Sequence, residues 1–420
     1  MRVLIVNTSE RTGGAAVAAH RLMDALNDNG VKTMMLVRDK QTDDICVASC
    51  GSSIKNKWNF IWERVVIWWH NRLSRQNLFK ISIANTGIDI TKTREFEEAD
   101  IIHLHWISQG MLSLKGIRKI LQSGKPVVWT MHDMWPLTAI CHHAYECQHY
   151  VTACHDCPFL QHPNGRDLSH KVFRKKQRLL SSHGSAGMNL TFVAVSDWLA
   201  ERARQSALTG HFQVKVIPNA LSLHQFTIID RIDARSALKI KEPYVIVFGA
   251  ARIDDPIKGM DYLIEALQRL TDSGRVHASD IRLLLFGNLR NPEVLTKMPV
   301  PYTYLGYIND TYKQSEIYSA SNATVSSSLY ETFGQTLIEA MACGSIPVSF
   351  DGSGQTSIIS HLKNGFLASR LSAESLAEGI EWALRSNLSA QELRRSVIRH
   401  FAESVVANHY INLYQSIVQE

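Results

Sequence analysis

Short, mostly apolar runs alternate with helix-like stretches through both halves of this chain, and this alternation limits the folds that it can adopt. Runs without polar alternation are typical of strands buried on both faces, as in parallel sheets. Each pair of neighbouring parallel strands needs a crossover, which the intervening helices supply. The runs are Val3 to Val6, Thr33 to Val37, Ile101 to Leu104 and Val127 to Thr130 in the first half, and Tyr244 to Phe248, Ile281 to Phe286, Ala323 to Ser326 and Ile346 to Phe350 in the second. The sequence therefore predicts the α/β class, with a doubly wound parallel sheet in each half.

The chain is also too long for one domain. It has 420 residues, and single hydrophobic cores stop growing beyond about 250–300 residues. Residues 214–226 form the junction between the halves, because a strand-like run there ends at the turn signal Pro218-Asn219. We predict an N-terminal domain over residues 1–215 and a C-terminal domain over residues 216–400.

The composition restricts the partners and the compartment. A formal net charge of +6 suits anionic ligands or an anionic membrane surface. Lys and Arg are spread widely without a base-reading motif, so no nucleic-acid partner is predicted. The sequence contains neither a signal-peptide pattern at its start nor an apolar run of the ~18 residues that span a membrane. Because seven cysteines, an odd number, argue against a disulfide framework, a cytoplasmic protein is expected.

Two carboxylates in the second half have a spacing that suits a ligand site. Glu331 and Glu339 are eight residues apart, and Phe333-Gly334 between them fits a passage from a loop into a helix. The N-terminus of a helix presents backbone N–H groups and a positive dipole end, which suit a diphosphate. Carboxylates beside it can accept hydrogen bonds from sugar hydroxyls. The alternative is a surface helix with two solvated glutamates.

The segment from Glu331 to Glu339 resembles the signature of retaining family-four glycosyltransferases, which have the GT-B fold, and the resemblance runs through most of the chain. Other parts of the family pattern occur along the chain in the order that the family shows. They are Pro218-Asn219, Gly249, Lys258-Gly259 and Gly287 before this segment, and Gly344, Pro347, Gly352, Gly354 and Asn364-Gly365 after it. The resemblance implies two Rossmann-like domains that face each other across a cleft. It also implies a C-terminal helix, at about residues 401–420, that returns to the N-terminal domain.

The resemblance assigns the donor site to the C-terminal domain. Glu339 is expected to bind the ribose hydroxyls of a nucleoside-diphosphate sugar, and Glu331 the hydroxyls of the transferred sugar. The backbone of Phe333, Gly334 and Gln335 is expected to approach the phosphates, and at Gly334 no Cβ obstructs that approach.

Lys258 is the expected cation for the diphosphate, since a fixed ammonium stabilises the charge of the leaving group. The alternative for Lys258 is a surface lysine before a helix. Family members place an arginine directly after the glycine that matches Gly249. Here Ala250 follows, and Arg252, two residues later, is the expected substitute.

A glycine pair in the N-terminal half joins a strand to a helix. Gly13 and Gly14 do not form the G-x-G-x-x-G fingerprint of dinucleotide-binding domains. The resemblance implies that this loop faces the donor diphosphate. A tight turn without a ligand is the alternative.

Histidines follow two strands of the same half, at the ends where open α/β sheets bind ligands. His132 and Asp133 come after one strand, and the family has a histidine there beside the transferred sugar. His105 ends the preceding strand and is expected either on the acceptor side or as a packed residue, whereas Asp133 is expected on the acceptor side. His103, which also belongs to this strand, is expected to be a packed, hydrogen-bonded residue.

Four cysteines follow closely: Cys141, Cys147, Cys154 and Cys157. The last two have the spacing of zinc ligands, and four thiolates form a closed structural site. The irregular first gaps and the neighbouring histidines leave the ligand set open. The sequence thus suggests a structural zinc ion at these cysteines, and no cofactor is expected for catalysis.

Two stretches suggest contact with a membrane surface. Residues 58–69 are rich in tryptophan, and Arg72 and Arg75 follow them. A second, basic cluster consists of Lys171, Arg174, Lys175, Lys176 and Arg178. A helix with aromatic and cationic side chains can lie in a bilayer interface, here the inner face of the plasma membrane. The alternatives are a core or subunit contact for the aromatic stripe and a solvated face for the charges.

The resemblance implies a hexosyltransferase that retains the anomeric configuration, with a sugar or lipid-linked sugar as acceptor, in bacterial surface polysaccharide synthesis. No Asp-x-Asp motif is present, so catalysis without a divalent metal is expected. Two alternatives remain: a sugar-nucleotide 2-epimerase and a catalytically degenerate sugar-nucleotide-binding protein. Two departures from the family pattern favour the degenerate protein: the arginine is shifted to Arg252, and Ser357 stands where the family often has a carboxylate. The presence of Glu331, Glu339 and Lys258 argues against it.

Overall fold

A computed structural model describes residues 1–181 and 189–419 and divides the chain into two compact units. The first unit comprises Met1–Pro218 and Val406–Glu420, and the second comprises Asn219–Val405. The chain leaves the first unit at Pro218-Asn219, the turn signal of the sequence, and returns to it at Val406.

The first unit contains a seven-stranded parallel sheet with strand order 3-2-1-4-5-6-7. Its strands are β1 (Arg2–Ser9), β2 (Lys32–Asp39), β3 (Val47–Ser49), β4 (Ile101–Leu104), β5 (Val127–Met131), β6 (Leu190–Ala194) and β7 (Val214–Val216). Its helices are α1 (Gly14–Asp28), α2 (Ser53–His70), α3 (Arg94–Glu98), α4 (Leu114–Leu121), α5 (Leu168–Ser181) and α6 (Asp197–Gln205). Every residue of β4, β5 and β6 is buried, which confirms that the apolar runs at residues 101–104 and 127–130 are central strands.

The second unit contains a six-stranded parallel sheet. Its strands are β8 (Tyr244–Arg252), β9 (Ile281–Asn288), β10 (Tyr302–Tyr304), β11 (Ala323–Ser326), β12 (Ile346–Phe350) and β13 (Phe366–Ala368). Its helices are α7 (Arg231–Ala237), α8 (Met260–Asp272), α9 (Thr311–Ala320), α10 (Gln335–Ala342), α11 (Ala373–Arg385) and α12 (Ala390–Phe401). The spatial order β10-β9-β8-β11-β12-β13 is the order 3-2-1-4-5-6 of a Rossmann sheet.

The strand order of each sheet reverses at one point, and that point fixes where a ligand can bind. The reversal lies between β1 and β4 in the first sheet and between β8 and β11 in the second. Open α/β sheets bind ligands in the crevice outside the carboxyl ends of the strands at such a point. The loops after these four strands therefore form the candidate sites.

The final helix, α13 (Glu403–Gln419), brings the end of the chain to the first sheet. The hydroxyl of Tyr414 lies 2.7 Å from Nδ1 of His103, and that of Tyr410 lies 2.9 Å from Oγ1 of Thr130. Both partners belong to central strands, so the helix is fixed by buried hydrogen bonds in addition to apolar packing. Of the helices in residues 1–181 and 189–419, none has both the length and the hydropathy to cross a membrane.

Candidate functional site

Two charged side chains meet outside the reversal point of the second sheet. Lys258 follows the turn after β8, and Glu331 lies in the loop after β11. The Nζ of Lys258 donates a hydrogen bond to Oε2 of Glu331 at 2.9 Å, and both side chains are partly buried. An ammonium has three donors, of which Glu331 accepts one. The sequence predicted both residues as donor-site residues, and the structure brings them into direct contact.

The backbone beside Lys258 is held against the loop after β11. Gly259 has φ +66°, and a Cβ there would lie 2.0 Å from the carbonyl oxygen of Ser327. The Ser327 hydroxyl lies 2.8 Å from the carbonyl oxygen of Gly259, and Leu329 N donates to Ile257 O at 2.8 Å. Only glycine fits this contact without strain, because it has no Cβ and tolerates positive φ. The backbone from which the Lys258 side chain extends is therefore held in place.

The loop that carries Glu331 is fixed on its other side. Gly354 N donates to the carbonyl oxygen of Glu331 at 2.7 Å, and a Cβ on Gly354 would lie 2.1 Å from Thr332 O. Phe333 is buried and packs edge-on against Phe401, with ring centroids 5.8 Å apart. The Phe333 side chain thus belongs to the core of the second unit and anchors the loop there through its contact with Phe401.

Helix α10 begins directly after this loop. Gly334 precedes it with φ +114°, and Gln335 is its first residue. The first N–H groups of a helix point beyond its end, so they face the side of the sheet where Lys258 lies. Glu339 lies one turn further along α10 and is buried, with the Tyr318 hydroxyl 3.5 Å from its Oε2.

Gly249 and Arg252 occupy the end of β8, and both have local structural roles. A Cβ on Gly249 would lie 2.2 Å from the ring of Phe286, so this glycine is required by packing. The guanidinium of Arg252 pairs with Asp255 at 2.6 Å and lies 3.6 Å from Asp254. Arg252, the expected substitute for the family arginine, is therefore engaged by two carboxylates of its own loop.

Gly13 and Gly14 lie outside the end of β1, at the reversal point of the first sheet. Gly13 has φ +92° and caps α1, which begins at Gly14. A Cβ built on either residue would meet no heavy atom within 4 Å. The backbone conformation explains glycine at position 13, whereas neither crowding nor positive φ requires it at position 14.

Three histidines lie at the ends of β4 and β5. Nδ1 of His105 lies 2.8 Å from Nε2 of His132, so one ring donates and the other accepts. His103 lies behind them, fully buried, with Nε2 2.8 Å from Oγ1 of Thr130. Burial lowers the pKa of His132 to about 4 and that of His103 to about 3, and it lowers the pKa of His105 as well. All three rings are consequently neutral at neutral pH.

Asp133 lies next to His132, but its carboxylate is used inside the domain. It accepts hydrogen bonds from Trp106 Nε1 at 2.7 Å, His142 Nδ1 at 2.6 Å and Trp135 N at 2.8 Å. Burial acts to raise the pKa of Asp133, but the interactions with His142, His143 and the Trp135 backbone N–H together lower it. The buried ionised carboxylate orients the loop after β5.

The four clustered cysteines line one small cavity. Cys141, Cys147, Cys154 and Cys157 surround about 20 Å³ together with His149 and His155, and all four are free thiols. Within residues 1–181 and 189–419, no three or more His, Cys, Asp or Glu side chains are arranged to hold a metal ion. The cysteines are thus neighbours whose side chains do not converge on one point in this conformation.

The basic cluster predicted on α5 loses one member, because Lys176 is buried. Its Nζ is buried, donates to the carbonyl oxygens of Trp135 and Thr138 at 2.6 and 3.0 Å, and lies 3.4 Å above the Trp135 ring. Burial lowers its pKa to about 7. The other four members, Lys171, Arg174, Lys175 and Arg178, are exposed.

Two family profiles match the chain. The profile described as Glycosyltransferase Family 4 matches residues 12–225, more than half of the chain, and the profile described as Glycosyl transferases group 1 matches residues 230–400. The two matches together cover both units, and their boundary falls beside the junction of the units.

Curated relatives are also glycosyltransferases. An uncharacterized glycosyltransferase of Methanocaldococcus jannaschii is 25% identical over 237 residues, and the phosphatidyl-myo-inositol mannosyltransferase of Mycobacterium tuberculosis is 27% identical over 235 residues. These matches cover 53% and 54% of this chain and 59% of each relative, so the chain spans less than two thirds of their length. The WcaC protein of Escherichia coli K12, whose name assigns it to colanic acid biosynthesis, is 22% identical, with 76% of both chains covered.

Solved structures share the fold. Sucrose-phosphate synthase from Thermosynechococcus elongatus has a TM-score of 0.68 at 18% identity, with 99% of this chain and 98% of that chain covered. HepE from Anabaena, solved with UDP and glucose, has a TM-score of 0.65 at 15% identity, with 99% and 100% covered. With the two parallel α/β sheets, these matches confirm the predicted GT-B fold class with its two Rossmann-like domains.

Proposed function

The chain belongs to glycosyltransferase family 4, and on that premise we propose that it transfers a sugar from a nucleoside-diphosphate sugar to an acceptor hydroxyl with retention at the anomeric carbon. The contact of Lys258 with Glu331 outside the reversal point of the second sheet is the observation that carries this proposal. The contact supports the proposal because a lysine suits a diphosphate, a glutamate suits sugar hydroxyls, and sheets of this kind bind nucleotides in the crevice outside this point.

The proposed reaction needs no nucleophile from the enzyme. The bond from the anomeric carbon to the phosphate oxygen breaks, and the electron pair leaves with the nucleoside diphosphate. The acceptor oxygen bonds to the anomeric carbon on the same face, and its proton passes to the departing phosphate oxygen. Lys258 stabilises the charge that develops on that oxygen, together with the N–H groups at the start of α10. Since the chain lacks an Asp-x-Asp motif, we propose that this chemistry proceeds without a divalent metal.

The other donor contacts follow from their places on the two sheets. Glu339 is proposed to accept hydrogen bonds from the ribose hydroxyls, and Glu331 from those of the transferred sugar. The family resemblance supports an approach of the donor diphosphate to the start of α1, at Gly13 and Gly14. His132, neutral and hydrogen-bonded to His105, is proposed to lie beside the transferred sugar, where an uncharged ring can donate or accept a hydrogen bond.

We further propose a role in the synthesis of a bacterial surface polysaccharide. The similarity to WcaC covers 76% of each chain, and the name of that relative concerns colanic acid. The mannosyltransferase relatives are named for a phosphatidyl-inositol acceptor. A hexose as the transferred sugar and a sugar or lipid-linked sugar as acceptor, at the inner face of the plasma membrane, are consistent with both names.

Nucleotide binding tests the donor site. We expect one nucleoside diphosphate among UDP, GDP and ADP to raise the melting temperature selectively, and Lys258→Ala to lose most of that shift, because the ammonium contacts the diphosphate. Differential scanning fluorimetry over a nucleotide series measures this effect. Lys363→Ala, which removes an exposed lysine of the same domain, is the matched control and should keep the shift. An equal shift in all three proteins would contradict the assignment of Lys258.

Product analysis by NMR then separates the proposal from its two rivals. A new glycoside with the anomeric configuration of the donor supports retaining transfer. A nucleotide sugar epimerised at C2 would identify an isomerase, and unchanged substrates despite selective binding would identify a degenerate binding protein.

A structural zinc in the four-cysteine cavity is a separate proposal. A cavity of about 20 Å³ has room for a single ion, and rotation of the surrounding thiols would be needed for tetrahedral ligation. We expect about one zinc per chain in protein purified without chelator, and a large loss in Cys154→Ser/Cys157→Ser, by inductively coupled plasma mass spectrometry. Cys46→Ser/Cys50→Ser, outside the cavity, should keep the metal. Wild-type protein with far less than one zinc per chain would refute the site.

A further inference from the structure

Helix α2 is inverted relative to an ordinary surface helix, because it turns polar side chains inward and apolar side chains outward. Its buried residues are Asn56, Asn59, Glu63, Arg64 and Ile67. Four of these five are polar or charged. A surface helix ordinarily buries its apolar stripe and exposes its charges.

Hydrogen bonds hold the helix in this orientation. Oε1 of Glu63 accepts hydrogen bonds from Ser82 Oγ at 2.6 Å, Ile83 N at 2.8 Å and Ala84 N at 2.9 Å. Its Oε2 accepts from Arg64 Nη2 at 2.8 Å. Rotation of α2 to bury the apolar stripe would break the three bonds from Ser82, Ile83 and Ala84 and leave two buried backbone N–H groups without their acceptor. The outward direction of the apolar face is therefore built into the fold.

The outward face of α2 is wide and rich in tryptophan. Trp58, Trp62 and Trp69 are 60%, 43% and 70% exposed, and Ile61 and Val65 lie exposed between them. Their spacing places them on one side of the helix. The rings of Trp58 and Trp62 stack at 5.9 Å, so the aromatic surface is continuous. Contiguous exposed apolar surface of this kind marks an interaction site.

The charges around this face have one sign. The exposed ionised side chains in residues 53–80 belong to Lys55, Lys57, Arg72, Arg75 and Lys80. Glu63 is the one acidic residue of this stretch, and it is buried. Apolar surface with cationic side chains next to it in the chain attracts an anionic surface that also accepts apolar groups.

We propose that the outward face of α2 inserts into the interface of an anionic lipid bilayer. Indole rings prefer the boundary between acyl chains and headgroups, and the surrounding Lys and Arg pair with anionic headgroups. The helix would lie in the plane of the bilayer. This role rests on the proposed function, because contact with the bilayer would bring the enzyme to an acceptor that is linked to a lipid.

Vesicle binding tests the proposal without an enzyme assay. We expect wild-type protein to co-sediment with vesicles of phosphatidylglycerol and phosphatidylcholine at low salt and to bind pure phosphatidylcholine vesicles far less. Trp58→Ser/Trp62→Ser/Trp69→Ser should reduce the bound fraction at least about tenfold, because three indoles can no longer leave water. Arg72→Gln/Arg75→Gln should weaken binding to the anionic vesicles and reduce its salt dependence.

A matched control removes three exposed aromatic rings from elsewhere. Tyr302→Ser/Tyr307→Ser/Tyr312→Ser changes exposed side chains of the second domain and should bind vesicles as wild type does. The nucleotide-induced thermal shift, measured on every variant, reports the donor site separately. If no nucleotide shifts the melting temperature of the wild-type protein, the proposed function is contradicted, whereas the result of the vesicle experiment still stands.

Two outcomes would overturn the membrane proposal. The first is equal vesicle binding by wild type and the triple tryptophan variant. The second is a wild-type dimer in sedimentation velocity that becomes a monomer in that variant, without any vesicle binding. This result would assign the face of α2 to a second copy of the chain.

Discussion

Glu331→Ala is expected to lower kcat by about 10²–10³, the range found when one preorganised group that stabilises a transition state is removed. The variant loses the acceptor for sugar hydroxyls and also the partner that holds Lys258 at 2.9 Å. Nucleotide affinity should change much less, because Glu331 is assigned to the sugar. Initial rates at saturating donor and calorimetric titration with the nucleoside diphosphate measure the two effects.

Glu339→Ala provides the comparison for this prediction. Hydrogen bonds to a charged group contribute about 1.5–3 kcal/mol each, so Kd for the nucleotide should rise by about tenfold to a hundredfold with a smaller change in kcat. Glu378→Ala, on the exposed side of α11, is the control and should match wild type. Wild-type kinetics in both glutamate variants would refute the donor site proposed here.

Most central strands could be predicted from the sequence because their signal is local, although the equally buried β6 (Leu190–Ala194) was missed. Ile101–Leu104 and Ile346–Phe350 are fully buried, so each is apolar along almost its whole length. The three-residue strands Val47–Ser49, Tyr302–Tyr304 and Phe366–Ala368 were not predicted. Each is short and at least partly exposed, and two of them form an edge of the second sheet. Each is defined by its pairing with the preceding strand, and a run of three residues carries no pattern that indicates this pairing.

The residues of the candidate site could be predicted one by one from the sequence, but most of their contacts could not. Lys258 and Glu331 could be identified individually, but they are 73 residues apart, and only the strand order brings them together. Tyr318, beside Glu339, gave no signal, since α9 shows no clear apolar face in the sequence. The engagement of Arg252 by Asp255 is local, three residues away, and that spacing could have indicated it.

The orientation of α2 could not be predicted, because an apolar stripe looks the same whether it faces the core or the surface. Glu63 decides the matter, and its effect depends on Ser82, Ile83 and Ala84, which lie beyond the helix. A buried acid in the middle of an apolar stretch is a signal that the opposite face of the helix packs inward. Loss of the Glu63 carboxylate should therefore destabilise the first domain strongly.

Glu63→Ala is expected to lower the free energy of unfolding of the first domain by about 3–5 kcal/mol, the usual cost of removing one partner of a buried ion pair. The guanidinium of Arg64 would stay buried without its carboxylate, and the amides of Ile83 and Ala84 would lose their acceptor. Denaturant unfolding followed by tryptophan fluorescence measures this change in the relevant domain, since eight of the nine tryptophans lie before residue 219.

Two further variants separate the charge from the packing. Glu97→Ala removes an exposed glutamate of the same domain and should leave the midpoint within the range of surface substitutions. Glu63→Leu/Arg64→Leu removes both charges and should be less destabilised than Glu63→Ala, because no unpaired charge remains buried. If Glu63→Ala unfolds at the wild-type midpoint, hydrogen bonds do not hold α2 in place. Its apolar face would then be free to turn inward, and the membrane proposal would lose its structural basis.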